Sequence, residues 1–291
     1  MFDGFSTTQP APLQQSQAFA DALTRLDTFW QWVDYGCGKA LMQARIMPWG
    51  GWVGLISRGP VVDHAFEPKT FFDALATQGH PILINADGLK PDDLRDAGCV
   101  PVMSPATLAL LHLDRDENAQ IARMHQKWRN RWRKAAQSRL QLSQQTLPED
   151  RLHWLITAET EQRNSKAYKG LPAELATAYT MENPGEAQLF TASHAGKPIG
   201  GMIFLRHGAM ATYFIGHTCD QGRALGAHNL LIMKAARYFA ARGVQMLDLG
   251  TLNTDNAPGL ARFKLGCGAK PHVLGGTWLY SRRLARLLRR R

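Results

Sequence analysis

Strand-like and helix-like segments alternate along this chain in two successive rounds, which confines it to a mixed α/β architecture. In the first round the pattern predicts a helix over 16–32. Strands follow over 41–47 and 52–57, joined by the turn signal Pro48-Trp49-Gly50-Gly51. A helix over 70–78, a strand over 81–85, a short helix over 91–97 stopped by Gly98, and a strand over 106–113 complete it. The second round predicts helices over 149–163 and 172–181, a strand over 187–193, and a hairpin of 199–206 with 210–216. A loop over 218–226 leads into a long helix ending near Arg242, with Gly243 just past its end. A strand over 244–249, a loop over 250–258, a short helix over 259–265 and a last strand over 272–280 close the chain. The expected halves are 1–140, ending in a basic helix, and 141–291.

At 291 residues, 45% of them hydrophobic and 20% charged, the chain has enough apolar material for a core without disulfide staples. Cys37, Cys99, Cys219 and Cys267 are scattered, with no CxxC pair, which argues against a structural zinc site and a secreted disulfide framework. The N-terminus shows no basic segment followed by an apolar run, and no window has the length and purity of a membrane span. These features predict a soluble protein of a reducing, cytoplasmic compartment.

The formal charge of +10 is concentrated in two places. Residues 118–148 hold Arg123, Lys127, Arg129, Arg131, Arg133, Lys134 and Arg139 and no acid. Residues 281–291 hold Arg282, Arg283, Arg286, Arg289, Arg290 and Arg291 and no acid. The remainder has 34 − 13 = 21 bases against 24 acids, a slightly acidic body. The first segment reads as one helix with Asp114 as N-cap and Glu117 in capping-box spacing. Ile121, Met124, Trp128, Trp132 and Ala135 form one stripe, expected to face a core, and Arg123, Lys127, Arg131 and Lys134 form another. A face of like charges costs stability unless something anionic balances it, so this stripe points to a phosphate-bearing partner. The tail reads either as a basic amphipathic fragment able to touch RNA or an anionic membrane, or as a solubilising end.

A three-strand meander, a glycine-containing loop, a long helix, a strand, a short helix and a last strand is an order that resembles the GNAT acyltransferase fold. Arg223-Ala224-Leu225-Gly226-Ala227-His228 matches two anchors of that family's Arg/Gln-x-x-Gly-x-Gly/Ala pattern and departs from it at His228. A narrower resemblance is to the FemABX-type transferases, built from two GNAT-like halves. Four segments carry it: Ser57-Arg58-Gly59-Pro60, Trp128 to Ala135, Leu247-Asp248-Leu249-Gly250, and Phe263-Lys264-Leu265-Gly266-Cys267-Gly268. They span most of the chain. The resemblance implies tandem GNAT-like halves of mixed sheets flanked by helices, transferring an acyl or aminoacyl group from a carrier to an amine. The first half is expected to be an acceptor platform. Acyl-CoA or aminoacyl-tRNA is the implied co-substrate, with no tightly bound cofactor and no metal, and the acceptor is an amine that carries phosphate in some relatives.

Amine attack on an ester or thioester needs stabilisation of a developing oxyanion. The resemblance places the transfer-site lysine at Lys264, with Phe263 as its packing neighbour; an exposed helix lysine is the other reading. Asp248 either accepts the amine proton or fixes the following loop by hydrogen bonds. His217 is a candidate base, and Tyr213, four residues earlier, is expected on the same strand face. Arg223, Gly226, Asn229 and Asn253 are candidate donor-binding residues. Arg58, Lys127, Arg131 and Lys134 are candidate acceptor- or phosphate-binding residues, with a turn-stabilising ion pair as the alternative for Arg58. Cys267 reads as a packing residue. No HExxH, GK[ST] P-loop, GxSxG or Rossmann fingerprint is present, which disfavours metal hydrolysis, kinase chemistry and serine hydrolysis. The rival class is a non-catalytic basic module binding nucleic acid or an anionic membrane.

Overall fold

A computed structural model describes residues 10–48, 50–166 and 170–282. Most of the arginine tail, from Arg283 onward, lies outside the described residues, as does the reading of that tail as an RNA or membrane contact. Among the described residues no helix is long and apolar enough to cross a membrane.

The chain opens with α1 (Gln17–Arg25), capped by the Ser16 hydroxyl, which accepts from Phe19 N. It continues through β1 (Trp30–Asp34), β2 (Lys39–Ile46), β3 (Trp52–Ser57), α2 (Pro68–Ala76), β4 (Ile82–Asn85), α3 (Pro91–Asp96) and β5 (Val100–Met103). Next come β6 (Thr107–His112), α4 (Glu117–Ala122), α5 (Gln126–Ala136), β7 (Gln141–Thr146), α6 (Trp154–Lys166) and α7 (Glu174–Glu182). β8 (Ala187–His194), β9 (Lys197–His207) and β10 (Met210–Thr218) form the meander. α8 (Asp220–Leu225), α9 (Ala227–Ala240), β11 (Met246–Thr251), α10 (Pro258–Gly266), β12 (Lys270–Val273) and β13 (Thr277–Tyr280) complete the order.

Two compact units result, residues 1–107 with 273–291, and residues 108–272. The first holds a mixed sheet in the order β1-β2-β3-β4-β13-β5. Its core includes Phe71, Phe72, Ile82 and Ile84 with Trp278 and Tyr280 from β13. The second holds a mixed sheet in the order β12-β6-β11-β10-β9-β8-β7, and its core includes Trp128, Phe190, Phe204, Leu231, Phe239 and Leu247. A break near residue 140 was expected. The basic helix instead packs its Trp128 into the second core, and the last strand inserts between β4 and β5 of the first sheet. One of the two outer strands of each sheet carries a proline, Pro101 in β5 and Pro271 in β12, the strand position that tolerates a missing N–H.

Several elements differ from the sequence expectation. The first helix stops at Arg25, and Trp30–Asp34 pairs antiparallel with β2 from Trp30↔Gln43 to Asp34↔Lys39. The stretch 114–136 is two helices. Asp116 caps α4 by accepting from Asn118 N, while Asp114 accepts from Asp116 N and pairs with Arg123. The break falls where the end of α10 comes close: His125 N donates to Gly266 O at 3.0 Å. A β-carbon on Gly268, whose φ is +100°, would lie 3.2 Å from the Arg123 carbonyl oxygen. The loop 218–226 is α8, and 272–280 is two strands serving different sheets. β7 escapes the pattern because Gln141-Leu-Ser-Gln-Gln-Thr146 is an edge strand of mostly polar residues.

The glycines of the Phe-Lys-x-Gly-x-Gly segment are therefore packing positions. A β-carbon on Gly266 would stand 2.5 Å from Trp128 Cδ1, whereas one on Gly259 would meet nothing within 4 Å. Gly266→Ala is expected to cost about 1–3 kcal/mol, as overpacking does. Gly259→Ala, by contrast, is expected to stay within about 0.5 kcal/mol of the parent. Urea unfolding followed by tryptophan fluorescence checks this, and equal midpoints for the two variants would contradict the packing account.

Candidate active site

The site begins where the second sheet opens. β10 and β11 are parallel and pair only at Met210↔Met246, Ala211↔Leu247 and Thr212↔Asp248. Beyond Thr212 the register of β10 with β9 shifts between Tyr213 and Ile215, and β10 runs on to Thr218 without β11 beside it. On the other side, the β11–β6 register shifts between Asp248 and Thr251. The opening lies at the carboxyl ends of the two parallel strands, a place where α/β sheets bind ligands.

α10 sends Lys264 to the β11 side of the opening. The lysine is only 5% exposed, and its Nζ donates to Thr251 O at 2.8 Å. Burial pushes its pKa down to about 8, with Asp248 pulling the other way. The reading of Lys264 as an exposed helix residue is thereby excluded. Asp248 is 2% exposed and accepts from Gly250 N at 2.7 Å, fixing a turn in which Gly250 has a φ of +78°. Its geometry is thus that of a loop-fixing aspartate, and its charge bears on Lys264. Phe263, beside Lys264, packs against Trp128 on one side and His228 on the other, with ring centroids 6.0 and 6.2 Å away. Cys267 is buried, donates to Lys264 O at 3.0 Å, and is pushed up to about 12 by burial, as fits a packing residue.

The β10 side is held by His228, a residue the sequence marked only as a departure from a motif. Its Nε2 lies 3.0 Å from His217 O, so that nitrogen carries the proton. Burial lowers the pKa of the imidazole, and His217 and Arg223 push the same way against the bonds to backbone carbonyls. His217 itself contributes its carbonyl here. Its register partner is Gly201, where a β-carbon would meet Trp154 and Leu155, so its ring faces α6. Tyr213 does not share that face. The irregularity at Phe214 shifts the alternation, and the Tyr213 hydroxyl lies where a Gly216 side chain would go.

The candidate donor residues gather at the α8–α9 joint. Gly226, with φ +72°, ends α8 and starts α9. Arg223 pairs with Asp220 and donates to Thr218 O at 2.6 Å. Arg131 of α5 reaches across and donates to Arg223 O at 2.8 Å. Asn229 is 5% exposed, with its Nδ2 unpaired among the described residues. Asn253 is elsewhere, on an exposed loop whose turn it closes by accepting from Asp255 N and Asn256 N. Lys127, Arg131 and Lys134 are exposed on α5, while Arg123 is neutralised by Asp114. Arg58 belongs to the first unit; it is 8% exposed with a φ of +52°, and its Nε and Nη2 both stand 3.1 Å from Asp87 Oδ2, the turn-stabilising ion pair.

Comparison with known proteins gives this arrangement its context. Residues 107–265, more than half of the chain, match the family described as acetyltransferase (GNAT) domain. No curated protein matches the sequence. Among solved structures, FemX superposes with a TM-score of 0.76 at 12% identity, covering 97% of this chain and 96% of that one. L-PGS from Bacillus licheniformis gives 0.56 at 12% identity, covering 97% and 99%. The tandem GNAT protein from the clavulanic acid biosynthesis pathway gives 0.55 at 14% identity, covering 94% and 90%. At these identities the superpositions establish a shared fold of two GNAT-like halves. The chain belongs to the family described as acetyltransferase (GNAT) domain and is an acyltransferase.

Proposed function

We propose that the opening between β10 and β11 is the transfer site, and that Lys264 is the group that stabilises the reaction's oxyanion. The observation that carries this is a buried ammonium fixed at 2.8 Å from the Thr251 carbonyl, at the end of the parallel strands. The acceptor amine attacks the acyl carbon of a carrier ester or thioester and forms a C–N bond. The carbonyl electrons move to oxygen, where the Lys264 charge meets them in a water-poor setting. As they return, the bond to the carrier oxygen or sulfur breaks, and the proton lost by the amine ends on the leaving atom. Phe263 packs beside the lysine and excludes water.

The donor is a phosphate-bearing carrier, acyl-CoA or aminoacyl-tRNA. At the α8–α9 joint, backbone amides are spent on the chain's own carbonyls: Arg223 N on Cys219 O, Gly226 N on Arg223 O, and Asn229 N on Gly226 O. The exposed side chains of Lys127, Arg131 and Lys134 on α5 are assigned to grip the donor's phosphates. Arg58 is already paired with Asp87, so the first half is assigned the acceptor-platform role without it. The non-catalytic basic module is the less favoured class, because it gives no reason to bury a lysine beside the opening.

Transfer from labelled acetyl-CoA and from tRNA charged with labelled amino acids, each with and without RNase, to a lysine-bearing peptide or nucleotide-linked muropeptide tests the reading. Lys264→Ala is expected to lower kcat by about 100-fold or more, as loss of an oxyanion donor does. Replacing Lys127, Arg131 and Lys134 with alanine is expected to weaken donor binding and flatten its salt dependence. Full transfer by Lys264→Ala, or no product from either donor, would overturn the assignment.

Two pH effects follow from a lysine that titrates near 8 instead of its usual 10.5. Because the role needs the charged form, kcat is expected to fall as pH rises through about 8; a kcat that rises there would assign Lys264 as a base instead. The unfolded chain holds this proton more tightly than the folded one, so the charged lysine penalises the fold fully below about 8, and the penalty fades toward 10.5. Lys264→Met is therefore expected to gain on the order of 1–3 kcal/mol at pH 7. That advantage should shrink in melts recorded at pH 9.5, and one that does not change with pH would contradict the linkage.

A further inference from the structure

Past the point where β10 and β11 cease to pair, a side chain donates to a backbone carbonyl of each strand. Lys264 Nζ takes the Thr251 carbonyl on the β11 side at 2.8 Å. His228 Nε2 takes the His217 carbonyl on the β10 side at 3.0 Å. The two donors are linked through Phe263, which adjoins Lys264 in sequence and has its ring 6.2 Å from that of His228. Trp128 holds the opposite flank of the same phenyl group at 6.0 Å. His228 is also where the chain departs from Arg/Gln-x-x-Gly-x-Gly/Ala, putting an imidazole where that pattern has a small residue.

We infer that His228 is a positioning residue for acyl transfer: its bond to the His217 carbonyl fixes the β10 side of the opening and thereby keeps Lys264 in its buried position. The inference rests on Lys264 as the transfer-site cation only for its effect on rate; its effect on the lysine's surroundings stands apart from that reading. The titratable and charged groups around this pair are Asp248 beside Lys264, and His217 and Arg223 beside His228. His228 does not exchange a proton in this role, since its bonded nitrogen stays protonated throughout.

Two substitutions separate the bond from the bulk. His228→Gln keeps an amide able to donate to the His217 carbonyl and loses the ring. His228→Phe keeps a ring against Phe263 and leaves that carbonyl without its donor. Each is compared with the parent by thermal melt, by transfer kinetics, and by an NMR titration of Lys264 in protein labelled at lysine Cε, assigned with Lys264→Met. The expected result is a Lys264 midpoint near 8 in the parent and in His228→Gln, and a midpoint moved toward 10.5 in His228→Phe as the lysine becomes wetter. With it, His228→Phe is expected to lose about tenfold in kcat with KM little changed, and His228→Gln to stay within about threefold. A parent-like midpoint in folded His228→Phe overturns the inference. If that midpoint moves while Lys264→Ala transfers normally, the positioning role stands and the catalytic reading of Lys264 falls. If Lys264→Ala abolishes transfer while His228→Phe keeps parental kinetics and midpoint, the reverse holds.

Discussion

Separating two strands that begin as a parallel pair is the constraint from which the rest of the site follows. Three residue pairs join β10 to β11, and past them each strand keeps only its other neighbour, β9 for β10 and β6 for β11. Where a ladder stops, backbone groups no longer paired within it find other partners, among them side chains. Here those side chains come from the two flanking helices, Lys264 from α10 and His228 from α9. These two bonds place a lysine and an imidazole beside the opening between the strands.

Helix α5 keeps those two helices in register. Trp128 lies against Gly266 so closely that the glycine has no room for a β-carbon, and its ring reaches Phe263. The basic helix and the Phe-Lys-x-Gly-x-Gly segment are therefore one packed structure. The apolar stripe of α5 holds α10 in place while Lys127, Arg131 and Lys134 stay on the surface, and Arg131 further ties α5 to the α8–α9 joint. The exposed bases of α5 and the buried Lys264 are consequently carried by elements packed on one another.

The sequence made much of this readable, for identifiable reasons. The meander, α9 and α10 were legible because their apolar periods and glycine stops are local properties of the chain. The tryptophan stripe was legible as core because 3.6-residue spacing survives the break between α4 and α5. The break itself was not, since it is imposed by Gly266 and Gly268, more than 130 residues along the chain from His125 and Arg123. The strand Trp30–Asp34 and the placement of β13 were hidden for the same reason: each is decided by a pairing partner distant in sequence. Lys264 was found through its motif, but its burial came from packing. Tyr213 and His217 were assigned to one face by simple alternation, which a single irregular residue, Phe214, is enough to reverse. His228 was noticed only as the wrong residue for a motif, because its bond to the His217 carbonyl arises from the packing of α9 on the sheet.

A buried lysine at this point sets stability against the proposed activity in this half. Holding the ammonium where it titrates near 8 costs the fold roughly 3 kcal/mol relative to leaving it in water. The second core, with Phe190, Phe204 and Phe239 packed ring against ring, is large enough to carry that penalty. Moving Lys264 into solvent would recover the penalty and return the pKa toward 10.5, but its charge would then be screened by water and little use to an oxyanion. The same burial that makes the residue expensive is what makes its charge effective. A stabilising substitution of Lys264 therefore removes the group proposed to serve the oxyanion, while one on a surface far from the opening does not.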